Sequence, residues 1–106
     1  MAKSVATTTV KPPPSLALLR SHRRDIMDLA QRHGISNIRV FGSVARGDAT
    51  SHSDIDLWVD FAGQASGLHV IAFAQELEYV LGYRVDIGTK IQRVIRDQVE
   101  REAVPL

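Results

Sequence analysis

Gly42-Ser43-Val44-Ala45-Arg46-Gly47-Asp48-Ala49-Thr50-Ser51-His52-Ser53-Asp54-Ile55-Asp56-Leu57 is the stretch that decides how this chain folds. Its second half runs on into Trp58, Val59 and Asp60, so that Asp54, Asp56 and Trp58 interleave with Ile55, Leu57 and Val59. That alternation predicts a strand over 54–60 with one apolar and one polar face. Carboxylates at i and i+2 on a strand project from the same side, so Asp54 and Asp56 form a pair of hard oxygen donors anchored by buried neighbours. Such a pair suits Mg²⁺, which takes carboxylates, water and phosphate oxygens. The first half is the phosphate end. Glycine lets the backbone approach a ligand closely, Ser43 adds an uncharged donor, and the amides opening the short helix expected here point at whatever sits there. Arg46, one helical turn after Ser43, is a further candidate for phosphate contact, with a solvated surface arginine as the equal alternative.

Working outward, Ile35 to Phe41 reads as a strand with Ile38 and Val40 on one face. Before it, Ser15 sits at an N-cap position. Leu16, Leu19, Arg23, Ile26, Met27 and Ala30 follow at helical spacing, predicting an amphipathic helix over 16–33 that stops at Gly34. Residues 1–14, with Lys11-Pro12-Pro13-Pro14, read as a flexible Pro-containing tail. Downstream come a loop over 61–67, a helix over 68–81 ending at Gly82, and a strand over 83–87. A last helix through Ile91, Val94, Ile95, Val99 and Ala103 is ended by Pro105. Residues 15–106 then make one domain of the α/β (α+β) class, with a small mixed sheet of three strands or slightly more flanked by about four helices. Leu68, Ile71, Phe73 and Leu77 are expected in the core or in a dimer interface.

Composition narrows the function classes. The chain has 106 residues, 44% hydrophobic and 24% charged, a globular balance. It carries no apolar run of the roughly 18 residues that a membrane span needs. Nothing in its first residues resembles a signal peptide, and without cysteine there is neither a disulfide framework nor a thiolate metal site; the expected address is the cytoplasm. A formal net charge of +1 argues against binding nucleic acid by bulk electrostatics, so no direct nucleic-acid contact is expected. The charge is uneven. Residues 1–33 hold six Lys/Arg against two Asp, and residues 34–106 hold seven against ten Asp/Glu. His22, His33, His52 and His69 show no metal-ligand spacing backed by a carboxylate and are expected at the surface. Trp58 is expected to pack against a helix rather than to stack on adenine.

Gly42-Ser43, ten intervening residues and Asp54-Ile55-Asp56 resemble the signature of the DNA-polymerase-β-like nucleotidyltransferase superfamily. Within it, Ala45-Arg46-Gly47 and Ser53-Asp54-Ile55-Asp56-Leu57 are similar to the minimal nucleotidyltransferases, the antitoxin half of HEPN/MNT toxin–antitoxin modules. The ending Arg101-Glu102-Ala103-Val104-Pro105-Leu106 is similar too, and the resemblance spans roughly residues 16–106. It implies a nucleotidyltransferase fold and a third carboxylate on the next strand, matched here by Asp86 in Arg84-Val85-Asp86-Ile87. It also implies roles. Asp54, Asp56 and Asp86 would hold two Mg²⁺ ions, Asp86 would serve as base, and Gly42 and Ser43 would hold the β- and γ-phosphates of ATP.

The activity implied is AMP transfer from ATP to a tyrosine hydroxyl of a cognate HEPN-domain RNase toxin, which silences it. The expected assembly is a homodimer or a hetero-oligomer with the toxin. Two other readings stand beside it. One is a non-catalytic antitoxin that neutralises by complex formation, and the other is a nucleotidyltransferase acting on RNA or a small molecule. The near-neutral charge and the lack of residues for a second domain count against the last.

Overall fold

The computed structural model describes residues 11–61, 67–88 and 101–106. Among the described residues the elements with set bounds are, in chain order, α1 (Leu16–Ser21), α2 (Arg23–Arg32), β1 (Ile35–Phe41), α3 (Gly42–Arg46), β2 (Ile55–Phe61), α4 (Gly67–Leu81), β3 (Val85–Gly88) and β4 (Val104–Pro105). The strands form one mixed sheet in the order β3-β2-β1-β4, with β1 antiparallel to β2 and to β4, and β2 parallel to β3. One face of the sheet is apolar. Val40 lies opposite Leu57, Ile55 beside Val85 and Leu57 beside Ile87, and helices α2 and α4 close over that side.

The expected first helix is two. Ser15 caps α1 by accepting a hydrogen bond from the Leu18 amide at 3.1 Å, but the chain breaks at His22, with φ −106° and ψ 15°. Ser21 supplies a reason, since its hydroxyl donates to the Leu18 carbonyl at 2.6 Å and such back-bonding bends helices. Strand β1 also departs from strict alternation. Asn37 adopts φ +52°, and the register slips by one residue between Ser36 and Arg39. This bulge puts Ile35, Ile38 and Val40 all into the core despite their uneven spacing.

Helix α4 divides the apolar residues that the pattern grouped together. Phe73, Leu77 and Leu81, at i, i+4 and i+8, are buried, whereas Leu68 and Ile71 are exposed. Phe73 is fully enclosed, so Phe73→Ala is expected to cost about 3–5 kcal/mol of stability, read from urea denaturation. A loss below about 1 kcal/mol would contradict that packing.

The last strand, β4, was not expected, because Pro105 reads as a stop signal. Val104 and Pro105 nevertheless pair with Val40 and Arg39 at the sheet edge, where a missing amide is tolerated. Most of the predicted last helix lies outside the described residues; Arg101 and Glu102 are helical. Residues 1–10 of the expected tail also lie outside the description, but residues 11–14 are engaged. Pro14 is buried, the Tyr83 hydroxyl donates to the Pro12 carbonyl at 2.6 Å, and the Lys11 ammonium donates to the Gly82 carbonyl. Among the described residues, no helix is long and apolar enough to cross a membrane.

Candidate active site

Strand register assembles the site. Asp56 faces the polar side of the sheet with Phe41 of β1 on one flank and Asp86 of β3 directly beside it on the other. Asp54 sits just ahead of β2, where the Ile55 amide donates to the Arg84 carbonyl at 2.8 Å and ties the starts of β2 and β3 together. Asp54 and Asp56 are half-buried and Asp86 is exposed.

Electrostatics follow from this crowding. Burial pushes the Asp56 carboxyl above its ordinary value, the neighbouring Asp86 and Asp54 charges push it further, and Arg46 partly opposes them. Its folded form therefore holds a concentrated negative charge that a cation would relieve.

The Gly-Ser turn presses against the same carboxylate. Gly42 has φ +71°, and a Cβ built there would lie 2.5 Å from Asp56 Oδ2. Glycine is needed twice over, for the left-handed backbone and for the close approach. Ser43 opens α3 beside it, and its carbonyl accepts from the Gly47 and Asp48 amides at 2.9 and 3.0 Å, closing the turn. Gly42, Ser43, Asp54, Asp56 and Asp86 are thus brought together on one side of the sheet. Arg46 stands close enough to Asp56 to oppose the rise of its carboxyl, and its guanidinium donates to Asp48 Oδ2 at 3.2 Å and to Glu102 Oε1 at 3.3 Å.

A divalent cation fits the donor set in a particular way. Among the described residues no group of three or more His, Cys, Asp or Glu side chains forms a ready-made cage. Mg²⁺ does not require one, because it is commonly held by one or two carboxylates, waters and the phosphates of its substrate. Half-buried carboxylates, one of them packed against the Gly42 turn, are a donor set of that kind.

Two further clusters were not legible. Arg39 lies over the Trp58 ring, 4.1 Å from its centroid, and donates to Asp60 Oδ1 at 2.9 Å and to the Asn37 carbonyl at 3.0 Å. Trp58 is buried beneath that guanidinium on the face of the acids; the bulge at Asn37 creates the pairing, and no local pattern announces it. His33, expected at the surface, is half-buried between α2 and α4, hydrogen-bonded to Glu76 and in ring contact with His69 and Phe73. His52 is exposed, with its amide on Thr50 Oγ1 at 3.2 Å.

Comparison with known proteins agrees with this geometry. The model of a family described as nucleotidyltransferase domain matches residues 21–105. The protein adenylyltransferase MntA of Thermococcus cleftensis is 39% identical over 90 residues, 83% of this chain and 88% of that protein. A solved structure assigned as a minimal nucleotidyltransferase superposes with a TM-score of 0.77 at 44% identity, over 87% of this chain and 96% of the other. A toxin–antitoxin crystal structure with AMP-PNP gives 0.66 at 26% identity, over 77% and 69% of the two chains.

Proposed function

The chain belongs to the nucleotidyltransferase-domain family, and from that premise we propose that it is an antitoxin that transfers AMP from ATP to a tyrosine hydroxyl of a HEPN-domain toxin and so neutralises it. The observation that carries this reading is the convergence of Asp54, Asp56 and Asp86 against a glycine turn that leaves no room for a side chain. Its adenylyltransferase relative and the nucleotide-bound toxin–antitoxin relative support the choice of donor and partner.

Each residue then has a task. Gly42 and Ser43 bind the β- and γ-phosphates, the small turn letting them lie close to Asp56. Asp54 and Asp56 would hold Mg²⁺, two ions in this reading, with Asp86 completing the set. The metal would supply charge stabilisation to the transferring phosphoryl group and its leaving group and lower the pKa of the attacking hydroxyl. Asp86, exposed and level with Asp56, takes the proton from that hydroxyl. The tyrosine oxygen forms its bond to the α-phosphorus, the bond to the bridging oxygen breaks, and pyrophosphate departs on the Gly42–Ser43 side. Arg46, braced by Asp48 and Glu102, holds a positive charge near Asp56 and contacts phosphate from α3. The reaction draws on cytoplasmic ATP, and the cytoplasm is where we place it.

Incubation with Mg²⁺, ATP and the cognate HEPN-domain toxin, followed by intact mass measurement, tests the proposal. The expected result is a toxin heavier by whole AMP units, with no gain when EDTA is added. An unmodified toxin in a stable complex would replace transfer by neutralisation through binding.

A further inference from the structure

Beside Asp54, on the flank away from the Gly-Ser turn, a cavity of about 220 Å³ is lined by Lys11, Ser53, His52, Tyr83 and Arg84. We infer that this cavity is an acceptor-side subsite that recognises an anionic group next to the hydroxyl to be adenylylated. The inference rests on the transferase reading above and deepens it.

Position comes first. The sheet order β3-β2-β1 places the Gly42 turn, at the end of β1, and Arg84, at the start of β3, on opposite sides of the Asp54–Asp56 pair. In an in-line displacement the attacking and leaving oxygens lie on opposite sides of the phosphorus. With pyrophosphate leaving over Gly42 and Ser43, the nucleophile enters over β3, past Asp86. The cavity therefore borders the path of the acceptor, not the seat of the donor phosphates.

Charge comes second. Lys11 and Arg84 bring two cationic side chains to the lining. The Lys11 ammonium is bound to a neutral carbonyl at Gly82 and lies 4.8 Å from the centroid of the Tyr83 ring, so its charge is not cancelled there. The Arg84 side chain is 85% exposed and stands 3.9 Å from Asp54, too far for a hydrogen bond. Asp54 is the one carboxylate in the lining, and in the proposed mechanism it is committed to Mg²⁺.

Rigidity comes third. Lys11 leads into three consecutive prolines, Pro14 is buried, and the Tyr83 hydroxyl donates to the Pro12 carbonyl at 2.6 Å. A polyproline segment is already stiff, so docking it costs little conformational entropy and delivers Lys11 to the rim in a set position. A positioned Lys11 and an exposed Arg84 beside the acceptor path select for negative charge on what enters.

The anion has two available sources on a protein acceptor. One is the carboxylate of an acidic residue flanking the tyrosine, and the other is the phosphodiester of an AMP already attached, which would make successive additions favourable. Both are singly charged oxygen anions that a guanidinium and an ammonium bind.

The full chain carrying Lys11→Met and Arg84→Gln tests this against the parent. Time courses with the cognate HEPN-domain toxin are followed by intact mass, and the Kd for ATP is measured separately. Losing charge-assisted contacts should raise the acceptor KM about tenfold. The Kd for ATP should be unchanged, and Arg84→Lys should restore part of the loss. A weakened first addition identifies the carboxylate source. A normal first addition with slowed later ones identifies the phosphodiester source. A weaker Kd for ATP with an unaltered acceptor KM would place the cavity on the donor side and overturn the inference, as would kinetics identical to the parent. A parent chain that transfers no AMP would instead remove the transferase reading itself.

Discussion

Asp56→Asn is expected to abolish AMP transfer while leaving the protein at least as stable as its parent at neutral pH. The activity side follows from position: Asp56 touches the Gly42 turn, lies level with Asp86 and shares its face with Asp54. An amide of the same shape withdraws one charge from the group that holds Mg²⁺. Loss of several kcal/mol of transition-state stabilisation corresponds to a rate reduced by about 10³-fold or more.

The stability side has the opposite sign. The Asp56 carboxyl titrates above its ordinary value of 3.8, because of burial first and of the charges of Asp86 and Asp54 second. The folded chain therefore holds that proton more tightly than the unfolded chain does. Folding is favoured by this group when it is protonated, and that contribution is lost as pH rises from the ordinary carboxylate range through the raised folded value. Above that window the parent carries the full cost of an ionised, crowded Asp56, and the asparagine variant does not. Thermal melts from acid to neutral pH should show the variant gaining on its parent as pH rises. A variant that melts well below its parent at neutral pH would contradict this account of the site, and retained transfer would remove Asp56 from the mechanism.

Gly42→Ala is expected to do more damage to activity than to the fold. The backbone at φ +71° costs a residue with a Cβ about 1–2 kcal/mol. That Cβ would also arrive 2.5 Å from Asp56 Oδ2, an approach that forces something to move. The Asp56 carboxylate is the end of a side chain and gives way more readily than the sheet. Misplacement of a reacting group by about 1 Å can cost 10²-fold in rate, so a fall of that order is expected. Gly47→Ala provides the comparison. Gly47 has φ +84° and nothing within 4 Å of its Cβ position, so it carries the same backbone strain without the collision. Equal destabilisation of the two variants, with transfer lost only at position 42, is the expected result from melting curves and mass-detected assays. Equal loss of activity in both would mean that the turn acts through its flexibility rather than through room for the carboxylate.

Much of the site was legible because its signals are local. The alternation around Ile55, Leu57 and Val59 puts Asp54 and Asp56 on one face whatever they pair with, and the structure has those three residues fully buried. The Gly-Ser turn, α4 with its stop at Gly82, and β3 likewise follow from short-range periodicity and punctuation. What escaped was non-local or a matter of one residue. Strand β4 is two residues long and contains a proline, so nothing but its partner β1 defines it. The bulge at Asn37 slips the strand register by one position and the break at His22 occupies a single residue, both below what spacing rules resolve.

The sequence by itself determined which side chains could share a strand face and where glycine had to stand. Only the tertiary structure decided that Asp86, thirty residues from Asp56, is level with it, and that Gly42 lies close enough to need the absence of a Cβ. It alone set Lys11 and Arg84 around one cavity beside Asp54. The physical reason is that a strand's own pattern fixes which way its side chains face, whereas the pairing register between strands depends on contacts spread over the whole core.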